Sequence, residues 1–62
     1  MTKPLKIFVI EERDGVRRAL VVRLCAAPGV LIAGEANAAE AALEEINLLR
    51  PDIVLIETKR TD

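Results

Sequence analysis

Histidine, tryptophan and tyrosine are absent from this 62-residue chain, and phenylalanine, cysteine and methionine occur once each. Without histidine there can be no imidazole metal ligand and no imidazole general base. A single cysteine, Cys25, excludes an internal disulfide framework. With Phe8 as the sole aromatic residue, any core has to be built from Ile, Val and Leu. No basic stripe is present: nine Lys and Arg stand against ten Asp and Glu, for a net charge of −1. Nothing therefore argues for direct nucleic-acid binding by this segment. No apolar run approaches the roughly 18 residues that span a bilayer, and the run after Lys3 and Lys6 is too short for a signal-peptide core. No membrane association and a cytoplasmic setting are expected. There is no internal repeat and no low-complexity segment. A chain of this length has room for one domain, and it buries only about 60% of the surface that its unfolded form exposes.

The residues that are present alternate between two patterns. Asp52-Ile53-Val54-Leu55-Ile56-Glu57 is an apolar run ending in a carboxylate, and it reads as a strand buried on both faces, Val54 and Ile56 included. Lys6-Ile7-Phe8-Val9-Ile10-Glu11 has the same form. Between them, Asp14 is placed to cap a helix over about 15–27. Its inward stripe is Val16, Leu20, Leu24 and Ala27, with Arg17 and Arg18 off that face. Val21 and Cys25 fall on the flank, where they would face water and mark a contact surface. Pro28-Gly29 stops the helix. Val30 to Ala33 forms the next strand, with Gly34-Glu35-Ala36 leading out of it. Asn37 and Glu40 resemble a capping box for a second helix over about 38–50, whose inward stripe is Ala39, Ala42, Leu43, Ile46 and Leu49. Pro51 ends that helix.

The order β-α-β-α-β implies an α/β fold with a parallel sheet and right-handed crossovers. Strand order 2-1-3 puts the helices on opposite faces and creates a switch point between the first and third strands. Glu11, Glu12 and Glu57 then meet at the carboxyl edge of the sheet. Such a trio is either a solvated acidic edge or an oxygen-only site for a hard cation such as Mg²⁺. A dinucleotide site is disfavoured, because the turn Glu11-Glu12-Arg13-Asp14-Gly15 has one glycine and the wrong charge for phosphate.

The residues Lys6-Ile-Phe-Val-Ile-Glu-Glu12, Val16-Arg17, Leu20, Pro28-Gly-Val30, Gly34-Glu35-Ala36, Ala41, Leu43 and Leu49-Arg50-Pro51-Asp52-Ile-Val-Leu-Ile-Glu57 together resemble the receiver domain of bacterial two-component response regulators. The likeness is greatest to receivers that precede a helix-turn-helix domain. It implies a flavodoxin-like fold, of which residues 1–62 are the first part, strands 1–3 and helices 1–2. It also implies a phosphorelay role, with Glu57 at the phosphoacceptor position and Glu11 and Glu12 at the acidic pair that holds Mg²⁺ together with the acceptor. All three are Glu where the family usually has Asp, and Thr58-Lys59-Arg60-Thr61-Asp62 replaces the usual Met-Pro loop.

A carboxylate one methylene longer is displaced by about 1 Å, which can cost about 100-fold in group transfer. The sequence therefore predicts an atypical, phosphorylation-independent receiver without enzymatic activity. It would hold Mg²⁺ weakly or not at all at Glu11, Glu12 and Glu57. Its output, such as transcription, would be regulated through protein contacts. A histidine kinase or a second copy of the chain is the expected partner, and a homo-oligomer the expected state. The alternatives are a competent Mg²⁺-dependent phosphoacceptor and an interaction fragment with no switch.

Overall fold

A computed structural model describes residues 3–57. Thr58–Asp62, which the resemblance places in the loop after the third strand, lies outside the described residues. The chain runs β1 (Leu5–Ile10), α1 (Asp14–Cys25), β2 (Val30–Ala36), α2 (Ala39–Leu49) and β3 (Ile53–Ile56). The three strands form one parallel sheet in the order β2-β1-β3. The α/β class and the 2-1-3 order are those the alternating pattern implies.

Side chains alternate across a strand, so the central strand feeds two cores. On one face Ile7 and Val9 pack with Val21 of α1, and Leu20, Leu24, Val30, Ile32 and Leu55 surround them. On the other, Phe8 and Ile10 pack with Ala42 of α2, beside Ala36 and Ile46. One helix per face follows from right-handed crossovers on either side of β1.

The inward face of α1 differs from the expected one. Val21 is buried, whereas Val16, expected on the inward stripe, is exposed; Cys25 is exposed, as expected. The face is Arg17, Leu20, Val21 and Leu24, the i, i+3, i+4, i+7 pattern of a helix on a core. Arg17 belongs to it although charged, because its guanidinium is fully engaged at the edge of the sheet. Val21 therefore contributes to the core and offers no contact surface. In α2, Ala42 and Ile46 point inward, but Leu43 is exposed.

Neither expected cap forms. The residue before α1 is Arg13, with no side-chain capping bond, and Asp14 is already helical and accepts from Arg17 instead. The residue before α2 is Ala38, one position past Asn37, so the Asn37–Glu40 spacing does not frame the helix start. Glu40 still lies in the first turn, where the helix dipole favours an acid. Arg50 ends α2 in the left-handed region (φ 49°), its N–H donating to the Ile46 carbonyl at 2.9 Å. Pro51 follows and prevents continuation.

β2 extends through Gly34-Glu35-Ala36 instead of stopping at Ala33. Its register against β1 slips there: Ile7 pairs with Ile32, but Phe8 pairs with Gly34, so Ala33 is an extra residue. The reason lies in Phe8. A Cβ on Gly34 would stand 2.7 Å from the Phe8 ring, so the ring lies on bare backbone.

β3 also departs from expectation. Leu55 is half-buried, but Ile53, Val54 and Ile56 are exposed. Among the described residues β3 pairs only with β1, and the helices pack chiefly over β2 and β1. An edge strand with little helix above it stays wet however apolar its sequence.

Candidate functional site

Two backbone features align the carboxyl edge. At the far end of the sheet Asp52 joins β3 to β1: its amide donates to the Lys6 carbonyl, and its carboxylate accepts from the Lys6 amide, both at 2.8 Å. Pairing then runs without slip from Ile7–Ile53 to Ile10–Ile56. One step further stand Glu11 and Glu57. The Glu57 amide donates to the Ile10 carbonyl, and the Glu11 amide donates to the Ala36 carbonyl, both at 3.0 Å. The ends of all three strands therefore meet where sequence reasoning expects the site, with Glu11 in the centre.

The three candidate acids have different surroundings. Glu11 is 2% exposed, whereas Glu12 and Glu57 are exposed. A carboxylate so enclosed has to be paired. Arg13 does this from two residues away: Nη2 donates to Oε1 at 2.9 Å, Nε donates to Oε2 at 3.2 Å, and the Arg13 backbone N–H also donates to Oε2. The contact is bidentate, the geometry in which a planar guanidinium matches a carboxylate best. Arg13 holds the Glu11 carboxyl below its ordinary pKa, chiefly through the side-chain bond and then through its backbone N–H, against the opposing effect of burial. The same bond raises the pKa of Arg13, and the nearby charges of Glu57 and Glu12 add to it.

Arg17 fastens the other side. Nη1 donates to the Glu11 carbonyl at 2.9 Å, Nε to Glu35 at 3.0 Å and Nη2 to Asp14 at 2.7 Å. These bonds tie the end of β1, the start of α1 and the end of β2 together. Bonds to Asp14 and then to Glu35 raise the Arg17 pKa. Arg18 approaches Glu35 at 3.9 Å from the exposed side.

The basic half of the site was missed by sequence reasoning, which took Arg13 for a turn residue and Arg17 for an outward one. Arg17 and Asp14 at i, i+3 give a local signal. The bonds to Glu35 and to the Glu11 carbonyl give none, since they depend on the sheet.

Mg²⁺ would need carboxylate oxygens free to approach at about 2.0–2.1 Å. Both Glu11 oxygens are taken by Arg13, and the adjoining carbonyl by Arg17. Among the described residues no group of three or more Cys, Asp or Glu side chains is placed to hold a metal ion. Glu11, Glu12 and Glu57 thus share an edge and the field of Arg13, but the arrangement does not fit a divalent ion.

A parallel 2-1-3 sheet with a helix on each face is consistent with a flavodoxin-like receiver fold. The curated relatives of the chain are response regulators. It is 31% identical to the response regulator GacA of Pseudomonas syringae pv. syringae (strain B728a) over 89% of its length and 26% of that protein's. It is also 31% identical to the DNA-binding transcriptional activator DevR/DosR of Mycobacterium tuberculosis (strain ATCC 25618 / H37Rv), over 94% of its length and 27% of that protein's. The GacA of Pseudomonas viridiflava is 29% identical over 89% of the chain. The chain is homologous to response regulators across nearly all its length, in keeping with the receiver domain of a transcription-factor response regulator. It spans about a quarter of the length of these relatives. No family model matches it, and no solved structure matches it. No helix among the described residues is long and apolar enough to cross a membrane.

Proposed function

We propose that residues 1–62 form the first part of a receiver domain that works in the cytoplasm without phosphorylation and without enzymatic activity. Its conformation and protein contacts regulate an output such as transcription. The observation that carries this reading is the position of Glu57, one residue past β3 and beside Glu11, with its amide bonded to the Ile10 carbonyl at 3.0 Å. Glu57 stands at the position of the phosphoacceptor. Its carboxylate reaches one methylene further than aspartate and supplies a permanent negative charge near the place a phosphoryl group would take. A displacement of about 1 Å is enough to lower group transfer by about 100-fold. Partners are therefore proteins: a histidine kinase or a second copy of this chain in a homo-oligomer. The exposed Ile53, Val54 and Ile56 of β3 supply apolar surface for such contacts.

The test is incubation of the full-length protein with acetyl phosphate and Mg²⁺, followed by intact mass. No gain of a phosphoryl group is expected. A stable adduct at Glu57 would overturn the reading and favour a competent phosphoacceptor. Glu57→Asp is expected to leave the fold intact and to bring the carboxylate back to the usual reach.

A further inference from the structure

We propose that Arg13 is the resident cation of the acidic edge: its guanidinium holds Glu11 in place of a divalent ion and excludes that ion. The inference deepens the receiver-like reading of the same edge and rests on it for the comparison with a metal-dependent site.

Three acceptors of Glu11 that a cation could use are already taken. Arg13 takes both carboxylate oxygens, by Nη2 at 2.9 Å and Nε at 3.2 Å, and Arg17 takes the carbonyl at 2.9 Å. Arg13 is two residues from its partner, so the pair forms at little entropic cost. Guanidinium is weakly hydrated and planar, and it gives up little to sit against a carboxylate. Mg²⁺ dehydrates reluctantly and prefers a nearly octahedral shell. Glu11 is almost fully enclosed, which leaves no room for that shell beside the fork. Glu12 and Glu57 add negative charge around the same guanidinium, and both strengthen its hold on its proton. The cluster thus carries its own counter-ion.

The probe is Mn²⁺ alone, titrated into the full-length protein and read by calorimetry and by paramagnetic broadening of the amide resonances near Glu11. The unaltered protein is expected to show no saturable binding below millimolar Mn²⁺. Arg13→Gln removes the positive charge and one half of the fork, and it should tighten Mn²⁺ binding at least about tenfold, since the metal no longer meets a like charge a few ångströms away. Arg13→Lys keeps the charge and should stay weak. Micromolar binding by the unaltered protein, or equal affinity in the protein and its Arg13→Gln variant, would overturn the proposal. Should Arg13→Gln fail to fold, the Arg13 Nε–H resonance of the unaltered protein decides. It is expected to remain sharp at millimolar Mn²⁺, and its loss at lower concentrations would show that the metal displaces the fork. These readings concern metal affinity alone, so they can fail while the absence of phosphorylation stands, and the reverse.

Discussion

Ile7-Phe8-Val9-Ile10 of β1 and Ile53-Val54-Leu55-Ile56 of β3 are runs of four large apolar residues, paired one for one in register. In β1 all four are buried, Phe8 and Val9 completely. In β3, Ile53, Val54 and Ile56 keep 42%, 37% and 52% of their surface exposed. Composition and β-propensity do not distinguish the two. Their neighbours do: β1 has a strand on each side and a helix over each face, whereas among the described residues β3 has one strand and little helix cover. A continuous apolar run states that a strand can be buried on both faces, and the topology decides whether it is.

The comparison can be broken by truncating the two members of a single cross-strand pair, Phe8 and Val54. Phe8→Ala empties a fully enclosed site and is expected to cost about 3–5 kcal/mol, enough to unfold a small domain. Val54→Ala removes a side chain already in contact with water and is expected to cost about 1 kcal/mol or less. Urea unfolding of the two variants checks both. Similar losses would mean that β3 is covered in the protein as it exists, and that the exposure of Val54 does not persist there.

A smaller effect sharpens the account of why β1 packs so closely. Phe8 lies on Gly34 because that residue has no side chain, and the extra residue Ala33 brings Gly34 opposite the ring. Gly34→Ala would put a methyl 2.7 Å from the Phe8 ring and near a Leu49 methyl at 3.5 Å. The ring has to shift, at an expected cost of about 1–3 kcal/mol. Gly15→Ala meets nothing within 4 Å and serves as the control. Equal stability of the two variants would show that the ring is free to move.

Much of this architecture was legible in the chain, because periods of 2 and 3.6 residues survive any context. The five elements and their order follow from them, the sheet order follows with the handedness of the crossovers, and together these put Glu11 and Glu57 one step past the ends of neighbouring strands. What was not legible depends on partners distant in sequence. Val21 looked peripheral because Arg17, its neighbour on the same face, is charged, and only Glu35 and the Glu11 carbonyl make an inward arginine acceptable. The Asn37–Glu40 box has the right residues, but it is one position out of step with the helix start at Ala39. The acids of the site were visible as residues at strand ends. Their counter-ions were not, since Arg13 and Arg17 become part of the site only when β1, α1 and β2 converge.

The carboxylates one step beyond the compared strands extend the contrast. Glu11, after β1, is enclosed and paired, whereas Glu57, after β3, is exposed. The Glu11 pKa is lowered in the folded protein, first by its side-chain bond with Arg13. In the unfolded chain it returns to the ordinary carboxylate value. Above that value both states are ionised, and the Arg13 pair stabilises the fold in full. As the pH falls through the ordinary value, the unfolded chain takes up a proton first and stability begins to decline. By the time the pH has passed below the lowered folded value, the contribution is gone. The loss is therefore expected on the acid side, below roughly pH 5, and not near neutrality. Glu11→Gln should lower the urea midpoint at pH 7 and flatten its decline towards acid, while Glu57→Gln should change neither by more than a small fraction of that. If the two variants followed the same pH course, Glu11 and Arg13 would not be paired in the folded protein, and the difference between the two strand ends would reduce to exposure alone.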